Sequence, residues 1–166
     1  MSITFQDYAG ECDIPTIMAL VAPELSEPYS IFTYRYFLHN WPELTILALL
    51  DNKPVGCIVC KVDKDKEPPI EGEPIPEHGY IGMLTVDKTL RRSGIGSKLV
   101  NTAIERMQKM GCASVMLETE ITNVSGIRLY EKIGFIREEL LICYYLNWND
   151  AYRLRLHFKE EERAIC

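Results

Sequence analysis

Two side chains stand out by type and setting. Glu118 lies inside the short apolar run "SVMLETE", residues 114 to 120. A carboxylate is seldom buried without a partner or a task, because taking its charge out of water is costly. Two readings fit it: a solvated place near a strand end with Glu120 beside it, or a group that accepts a proton. Tyr130 follows in "NVSGIRLYEKIG". A tyrosine on a helical apolar stripe commonly packs in a core. A phenol with a pKa of about 10 is also protonated at neutral pH and can donate a proton or a hydrogen bond. The third feature is "RRSGIGS", Arg91, Arg92, Ser93, Gly94, Ile95, Gly96 and Ser97, which opens an amphipathic run. At such a turn the first N–H groups of a helix lack internal partners, and the helix dipole favours an anion. Gly94 and Gly96 allow close approach, and Arg91, Arg92 and Lys98 add positive charge.

Three phosphate-binding patterns can be compared with this loop. A P-loop needs G-x-x-x-x-G-K-[ST], and the chain has no Gly-Lys pair. A dinucleotide fingerprint needs G-x-G-x-x-G, and Leu99 stands at the third glycine. "RRSGIG" instead satisfies R-x-x-G-x-G. With "YIGMLTV" before it and a helix after it, this stretch resembles the pyrophosphate loop of the GCN5-related N-acetyltransferases (GNAT), which hold acetyl-coenzyme A.

That resemblance gives the carboxylate and the phenol a shared task. An amine must lose its proton before it attacks a thioester. An α-amino group has a pKa of about 7.7–8.0, so roughly a tenth or more is neutral at pH 7 and only a modest base is needed. A carboxylate suffices if burial raises its proton affinity or a water relays the proton. The departing thiolate needs a proton, which a phenol can supply. Glu118 is therefore expected as general base and Tyr130 as general acid. Asn123 is a natural helix N-cap, and the resemblance implies a cofactor contact for it as well.

The elements that must position these groups follow from periodicity and punctuation. A strand is expected at residues 3 to 8 and a helix at 13 to 23. "SEPYS" interrupts, with Pro28 at the entry to a second helix through "SIFTYRYFLHNW". "LTILALLDNKPVGCIVCKVD" reads as two strands around a turn at residues 51 to 54. "KDKEPPIEGEPIPEHG" is an acidic, proline-dense connector. Then come strand 80 to 87, helix 94 to 110, strand 114 to 120, helix 123 to 134, a long strand 135 to 147 and a last strand 151 to 158. Ile95, Leu99, Val100, Ala103, Ile104 and Met107 form the buried stripe of the third helix. The fold class is α/β, more strictly α+β: one domain over residues 1–166, with a mixed, mostly antiparallel sheet of about seven strands and helices on both faces.

Composition narrows the class. The chain has 166 residues, 47% hydrophobic and 25% charged, with net charge −6. An acidic chain is a poor partner for nucleic acid. No run is long enough for a membrane span, and no basic-then-apolar leader opens the chain, so a cytoplasmic home is expected. Cys57 and Cys60 have C-x-x-C spacing. On a strand they point to opposite faces, so they are expected as buried hydrophobes that bind no metal.

The blocks "LSEPYSIFTYRYFLHNWPEL", "GCIVCKVD", "GYIGMLTVD", "RRSGIG", "MLETE" and "LYEKIGFIR" with "YYLN" together resemble the catalytic-subunit family of the NatC N-terminal acetyltransferases. The resemblance implies acetylation of nascent-chain N-termini that begin with Met and a bulky hydrophobic residue. It implies auxiliary subunits, work at the ribosome, and catalysis by Glu118 and Tyr130. It places the pantetheine arm along Leu84, Thr85 and Val86, with the diphosphate on residues 91 to 97. It places the peptide between "LSEPY" and the hairpin after "CYY": Leu25, Glu27, Pro28, Tyr29, Tyr80, Tyr144 and Tyr145. Apolar, aromatic walls suit a Met side chain, and Glu27 could attract the ammonium end. Alternation on a strand lets at most one of Tyr144 and Tyr145 reach the groove unless the strand is irregular. Another N-terminal, lysine or small-amine specificity, or a non-catalytic acetyl-coenzyme A module, remains the alternative.

Overall fold

The computed structural model describes residues 2–159. In chain order the elements are β1 (Ile3–Asp7), α1 (Ile14–Val21), α2 (Ile31–Asn40), β2 (Thr45–Leu50), β3 (Lys53–Lys64), β4 (Glu77–Val86), α3 (Ile95–Lys109), β5 (Ser114–Glu120), α4 (Val124–Ile133), β6 (Ile136–Leu141) and β7 (Ala151–His157). The strands form one seven-stranded sheet in the order β1-β2-β3-β4-β5-β7-β6. Every neighbouring pair is antiparallel except β4 and β5. The mixed, mostly antiparallel sheet expected from the sequence is the one observed.

Helices cover both faces because the central strands are apolar on both. On one side Ile14, Ile17, Val21, Tyr34, Phe37 and Leu38 pack on Leu47, Cys57, Val59 and Met83. On the other, Leu99, Val100, Ala103, Ile104 and Met107 pack on Ile46, Ile58, Cys60 and Ile81. Each large side chain so buried contributes about 1.5–3 kcal/mol. Cys57 and Cys60 fall on opposite faces, as alternation requires, and burial pushes the Cys57 thiol up to about 12. Asp51 and Asn52 both take positive φ, the geometry of a two-residue hairpin turn.

Two features position the site. Gly94 starts α3 at φ 86, a left-handed angle that glycine adopts without strain. Strands β4 and β5 pair only at His78–Ser114, Gly79–Val115 and Tyr80–Met116. Beyond these, β4 continues along β3 to Val86 and β5 continues along β7 to Glu120. The two strands therefore part, and among the described residues the β4 edge from Ile81 to Val86 that faces β5 is left without a strand partner.

Some boundaries differ from the sequence reading. The connector is shorter, because β3 and β4 stay paired out to Lys64 and Glu77. Helix α1 stops at Val21 and passes into a 3-10 turn at Ala22–Glu24, where Pro23 cannot continue it. The long strand expected at 135 to 147 ends at Leu141. Residues 142 to 150 form a hydrogen-bonded loop because their own polar groups capture backbone donors. Asp150 Oδ1 accepts the Cys143 N–H at 2.8 Å, and Asn147 Oδ1 accepts the Asn149 N–H at 3.0 Å. Cys143 and Trp148 take φ of 50 and 67, which no strand allows.

Candidate active site

Alternation along β5 turns Val115 and Leu117 into the α3 core and sends Met116, Glu118 and Glu120 to the opposite face. The Glu118 side chain is only 6% exposed, which excludes a solvated strand end. Among the described residues its carboxylate has two hydrogen-bond partners. Tyr80 Oη donates to Oε2 at 2.5 Å, and Arg153 Nη2 donates to Oε1 at 3.3 Å. Arg153 Nη1 also donates to Glu139 Oε2 at 2.9 Å. Sheet register aligns this row: Tyr80 lies beside Met116, Glu118 beside Arg153, and Arg153 beside Glu139. Burial first, and then the Glu118 charge, push the Tyr80 phenol well above its ordinary range, so it stays a donor. Lys61 Nζ lies 5.2 Å from the Tyr80 ring centre and pairs with Asp63 at 3.1 Å, which steadies that ring from behind.

Tyr130 is a core residue by position, 5% exposed and edge-on to Phe135 at 5.4 Å. Burial raises its phenol pKa, with smaller pushes from Cys60 and Tyr145. Tyr145 is raised by burial and then by Tyr144, Glu118 and Glu120. Glu118 and Tyr130 share no hydrogen bond; Tyr145 is the group whose electrostatic surroundings reach both.

At the glycine loop the first intrahelical bond is Lys98 N–H to the Gly94 carbonyl at 3.0 Å. The Ile95, Gly96 and Ser97 N–H groups precede it and have no internal acceptor. Ser93 Oγ donates to the Leu90 carbonyl and fixes the turn. Arg92 takes φ 64. A Cβ on Gly96 would meet Leu129 Cδ2 at 3.5 Å and Val86 Cγ2 at 3.8 Å, ordinary contacts that leave room for alanine. Arg91 is not free: Nη2 donates to Glu24 Oε2 at 3.1 Å and Nε to the Val86 carbonyl at 3.3 Å. Glu24, which the sequence reading passed over, also pairs with Lys88 at 3.7 Å. A cleft of about 310 Å³ lies here, between Ala19, Leu20, Pro23 and Glu24 on one side and residues 85 to 88 on the other. Thr85 is buried, with Leu84 and Val86 half-buried, at the parted end of β4. Asn123 caps α4 as expected: Oδ1 accepts the Gly126 N–H at 3.2 Å and Nδ2 donates to Thr119 Oγ1 at 3.0 Å.

Two loops form lips on either side of Glu118. One carries Leu25, packed against the α1–α2 core, with Glu27, exposed Pro28, and Tyr29 edge-on to Tyr34 at 6.4 Å. The other carries Tyr144 and Tyr145, edge-to-face at 5.0 Å. Both of these tyrosines respond to Glu118, because the segment is a loop and strand alternation no longer separates them. Tyr29 is raised by burial, then by Glu27 and Glu118. Tyr29, Tyr80, Tyr144 and Tyr145 thus gather around one carboxylate. Glu27 is already engaged, since its Oε1 accepts the Leu146 N–H at 3.0 Å and ties the lips together. The sequence reading missed Arg153, whose pairing with Glu118 needs β7 beside β5. It noted Glu120 only as a neighbour, although its period-two spacing from Glu118 was visible.

The sequence model of the Acetyltransferase (GNAT) family matches residues 14–135. Human N-alpha-acetyltransferase 30 is 50% identical over 155 residues, which cover 93% of this chain and 41% of the human protein. The Saccharomyces cerevisiae N-alpha-acetyltransferase 30 is 46% identical, over 93% of this chain and 87% of the yeast protein. A solved NatC complex bound to Gag peptide and CoA contains a chain 43% identical to this one, with a TM-score of 0.86, covering 96% of this chain and 100% of that one. The chain spans 41% of the human and mouse relatives and 54% of the one from Xenopus laevis.

Proposed function

The chain belongs to the acetyltransferase (GNAT) family, and from that premise we propose that it moves an acetyl group from acetyl-coenzyme A to the α-amino group of protein N-termini, preferring Met followed by a bulky hydrophobic residue. The observation that carries this reading is the nearly buried Glu118, held by Tyr80 and Arg153 between two lips and beside the parting of β4 and β5. The residues fit the co-substrate. The unpaired edge of β4 at Leu84, Thr85 and Val86 suits an amide-bearing arm, and the bare N–H groups after Gly94 suit a diphosphate. A bound thioester supplies an activated acetyl carbon. Lys88 lines the cleft beside Glu24, which pairs with both Lys88 and Arg91, and Asn123 orders the turn into α4.

In this scheme Glu118 takes a proton from the substrate ammonium, directly or through one water. The neutral amine nitrogen bonds to the acetyl carbon as the carbon–sulfur bond breaks, and its remaining extra proton leaves to solvent as the amide forms. Tyr130, kept protonated by burial, donates to the departing sulfur. The rings of Tyr29, Tyr80, Tyr144 and Tyr145, with Leu25 and Pro28, enclose the Met side chain and exclude water. Auxiliary subunits and ribosome association in the cytoplasm complete the proposal. Phe32, 74% exposed on α2, offers a docking contact, whereas Phe37 is committed to the core.

Steady-state kinetics on Met-Leu, Met-Ala and Ser-Glu peptides and on an internal lysine test the substrate. A clear Met-Leu preference is expected, and comparable rates on the lysine peptide would sink it. The catalytic roles are tested by Glu118→Gln and Tyr130→Phe, with acetyl-coenzyme A binding measured in parallel. Each should lose about a hundredfold or more in kcat while binding persists. Full turnover in both would remove the assignment. Cofactor binding without turnover in the native chain would make it a non-catalytic module.

A further inference from the structure

The loop at residues 142 to 150 is poorly held by apolar packing. Its Leu146 and Trp148 side chains are 75% and 79% exposed. Ser26, Pro28 and Tyr29 on the facing lip are exposed as well. Something polar must therefore define where the two lips stand, since a loop with few buried contacts opens at low cost.

We propose that Glu120 is a positioning residue that clasps both lips onto the strand carrying Glu118, and so sets peptide affinity and second-residue discrimination. This rests on the reading of the groove as a peptide site. Glu120 lies on β5 on the same face as Glu118. Its Oε1 accepts Asn147 Nδ2 at 3.1 Å. Its Oε2 accepts Asn149 Nδ2 at 3.3 Å and Thr122 Oγ1 at 3.2 Å. From the opposite lip, the Ser26 hydroxyl is the first cause of its lowered proton affinity. One carboxylate thus gathers donors from both lips and from the turn into α4. All four donors are neutral, so the carboxylate charge strengthens each bond without being cancelled. Asn147 serves twice, shaping its turn through Oδ1 and tying it to β5 through Nδ2. The Glu27 bond to the Leu146 N–H closes the ring on the solvent side. Glu120 touches none of the proposed reacting atoms; it acts through the Tyr144–Tyr145 loop and the Leu25–Tyr29 lip.

The test uses the full chain with Glu120→Ala, Glu120→Gln and the double variant Asn147→Ala/Asn149→Ala. In Glu120→Ala the Met-Leu peptide KM should rise at least about tenfold, kcat should stay within about threefold, and the KM for acetyl-coenzyme A should not move. The Met-Leu over Met-Ala preference should shrink, Glu120→Gln should fall between, and the double asparagine variant should reproduce Glu120→Ala. Amide hydrogen exchange should quicken at Cys143, Tyr145 and Leu146 and stay unchanged in α3. Unchanged peptide KM, or unchanged exchange in both Glu120→Ala and the double variant, would overturn the clasp. If the native chain acetylates no peptide, the functional reading fails, while the exchange result still decides the clasp.

Discussion

Replacing either glycine of the α3 entry by alanine should move the protein in opposite directions. Gly94 sits at φ 86, and an added Cβ would meet nothing within 4 Å. The cost of Gly94→Ala is therefore purely conformational, about 1–2 kcal/mol for a left-handed L-residue. Gly96 lies inside the first helical turn, where the new methyl would make ordinary contacts at 3.5 Å with Leu129 and 3.8 Å with Val86. Gly96→Ala should gain up to about 1 kcal/mol from reduced unfolded-state freedom and helix propensity. For a domain of this size each kcal/mol moves Tm by about 2–4 °C. Gly94→Ala should then melt about 2–8 °C lower and Gly96→Ala up to about 4 °C higher, by differential scanning calorimetry. Titration calorimetry with acetyl-coenzyme A separates binding from stability. Gly94→Ala re-aims the bare N–H groups of α3 and should weaken binding, whereas the Gly96 methyl faces Leu129 and Val86 and should leave it nearly unchanged. A Gly96→Ala protein that melts below the native one, or a Gly94→Ala protein that melts with it, would refute this geometry.

Arg153→Met leaves the nearly buried Glu118 with Tyr80 as its one remaining hydrogen-bond partner among the described residues. An under-satisfied buried charge costs about 1–3 kcal/mol, so kcat/KM on a Met-Leu peptide should fall roughly ten- to hundredfold, and unchanged kinetics would contradict the row described here. Thiol alkylation at pH 7.5, mapped by mass spectrometry, should modify Cys12 and Cys143 and spare Cys57, Cys60 and Cys112 until the protein unfolds. Burial holds the Cys57 and Cys112 thiols up at about 12 and about 11, and Cys60 is raised further. Cys166 lies outside the described residues. Glu120 is held below the ordinary carboxylate range, by the Ser26 hydrogen bond first. A carboxylate with a depressed folded pKa stabilises above its unfolded value of about 4.3 and loses that contribution as pH falls through the folded value. The Tm gap between native protein and Glu120→Gln should therefore be full above about pH 5 and shrink progressively as pH falls below the unfolded value of about 4.3, and a gap unaltered at low pH would contradict it.

Local signals made much of this molecule legible before any coordinates. The stripe from Ile95 to Met107 has helical period, and Asn123 caps its helix. Gly94 supplies an angle that few residues accept, and Glu118 was conspicuous because its apolar neighbours left it no ordinary reason to be there. Each of these depends on residues within a turn or two along the chain. The largest difference from the sequence reading is the shortened strand after Leu141. Residues 142 to 147 alternate enough to suggest a strand, but the Asp150 and Asn147 side chains divert the Cys143 and Asn149 backbone donors into a loop. That diversion lets Tyr144 and Tyr145 both approach Glu118.

The sequence by itself determined the order of elements, the anion-ready helix start and the places of Glu118 and Tyr130 on a strand and a helix, since periodicity, capping and backbone angle are properties of neighbours. Tertiary structure alone decided where β4 and β5 part, that Arg153 and Tyr80 grip Glu118, and that Glu27 and Glu120 join the lips. Those contacts unite residues 35, 38 and 119 positions apart in the cases of Arg153–Glu118, Tyr80–Glu118 and Leu146–Glu27. Their partners are chosen by strand order and register, which emerge only when the whole sheet buries both of its faces.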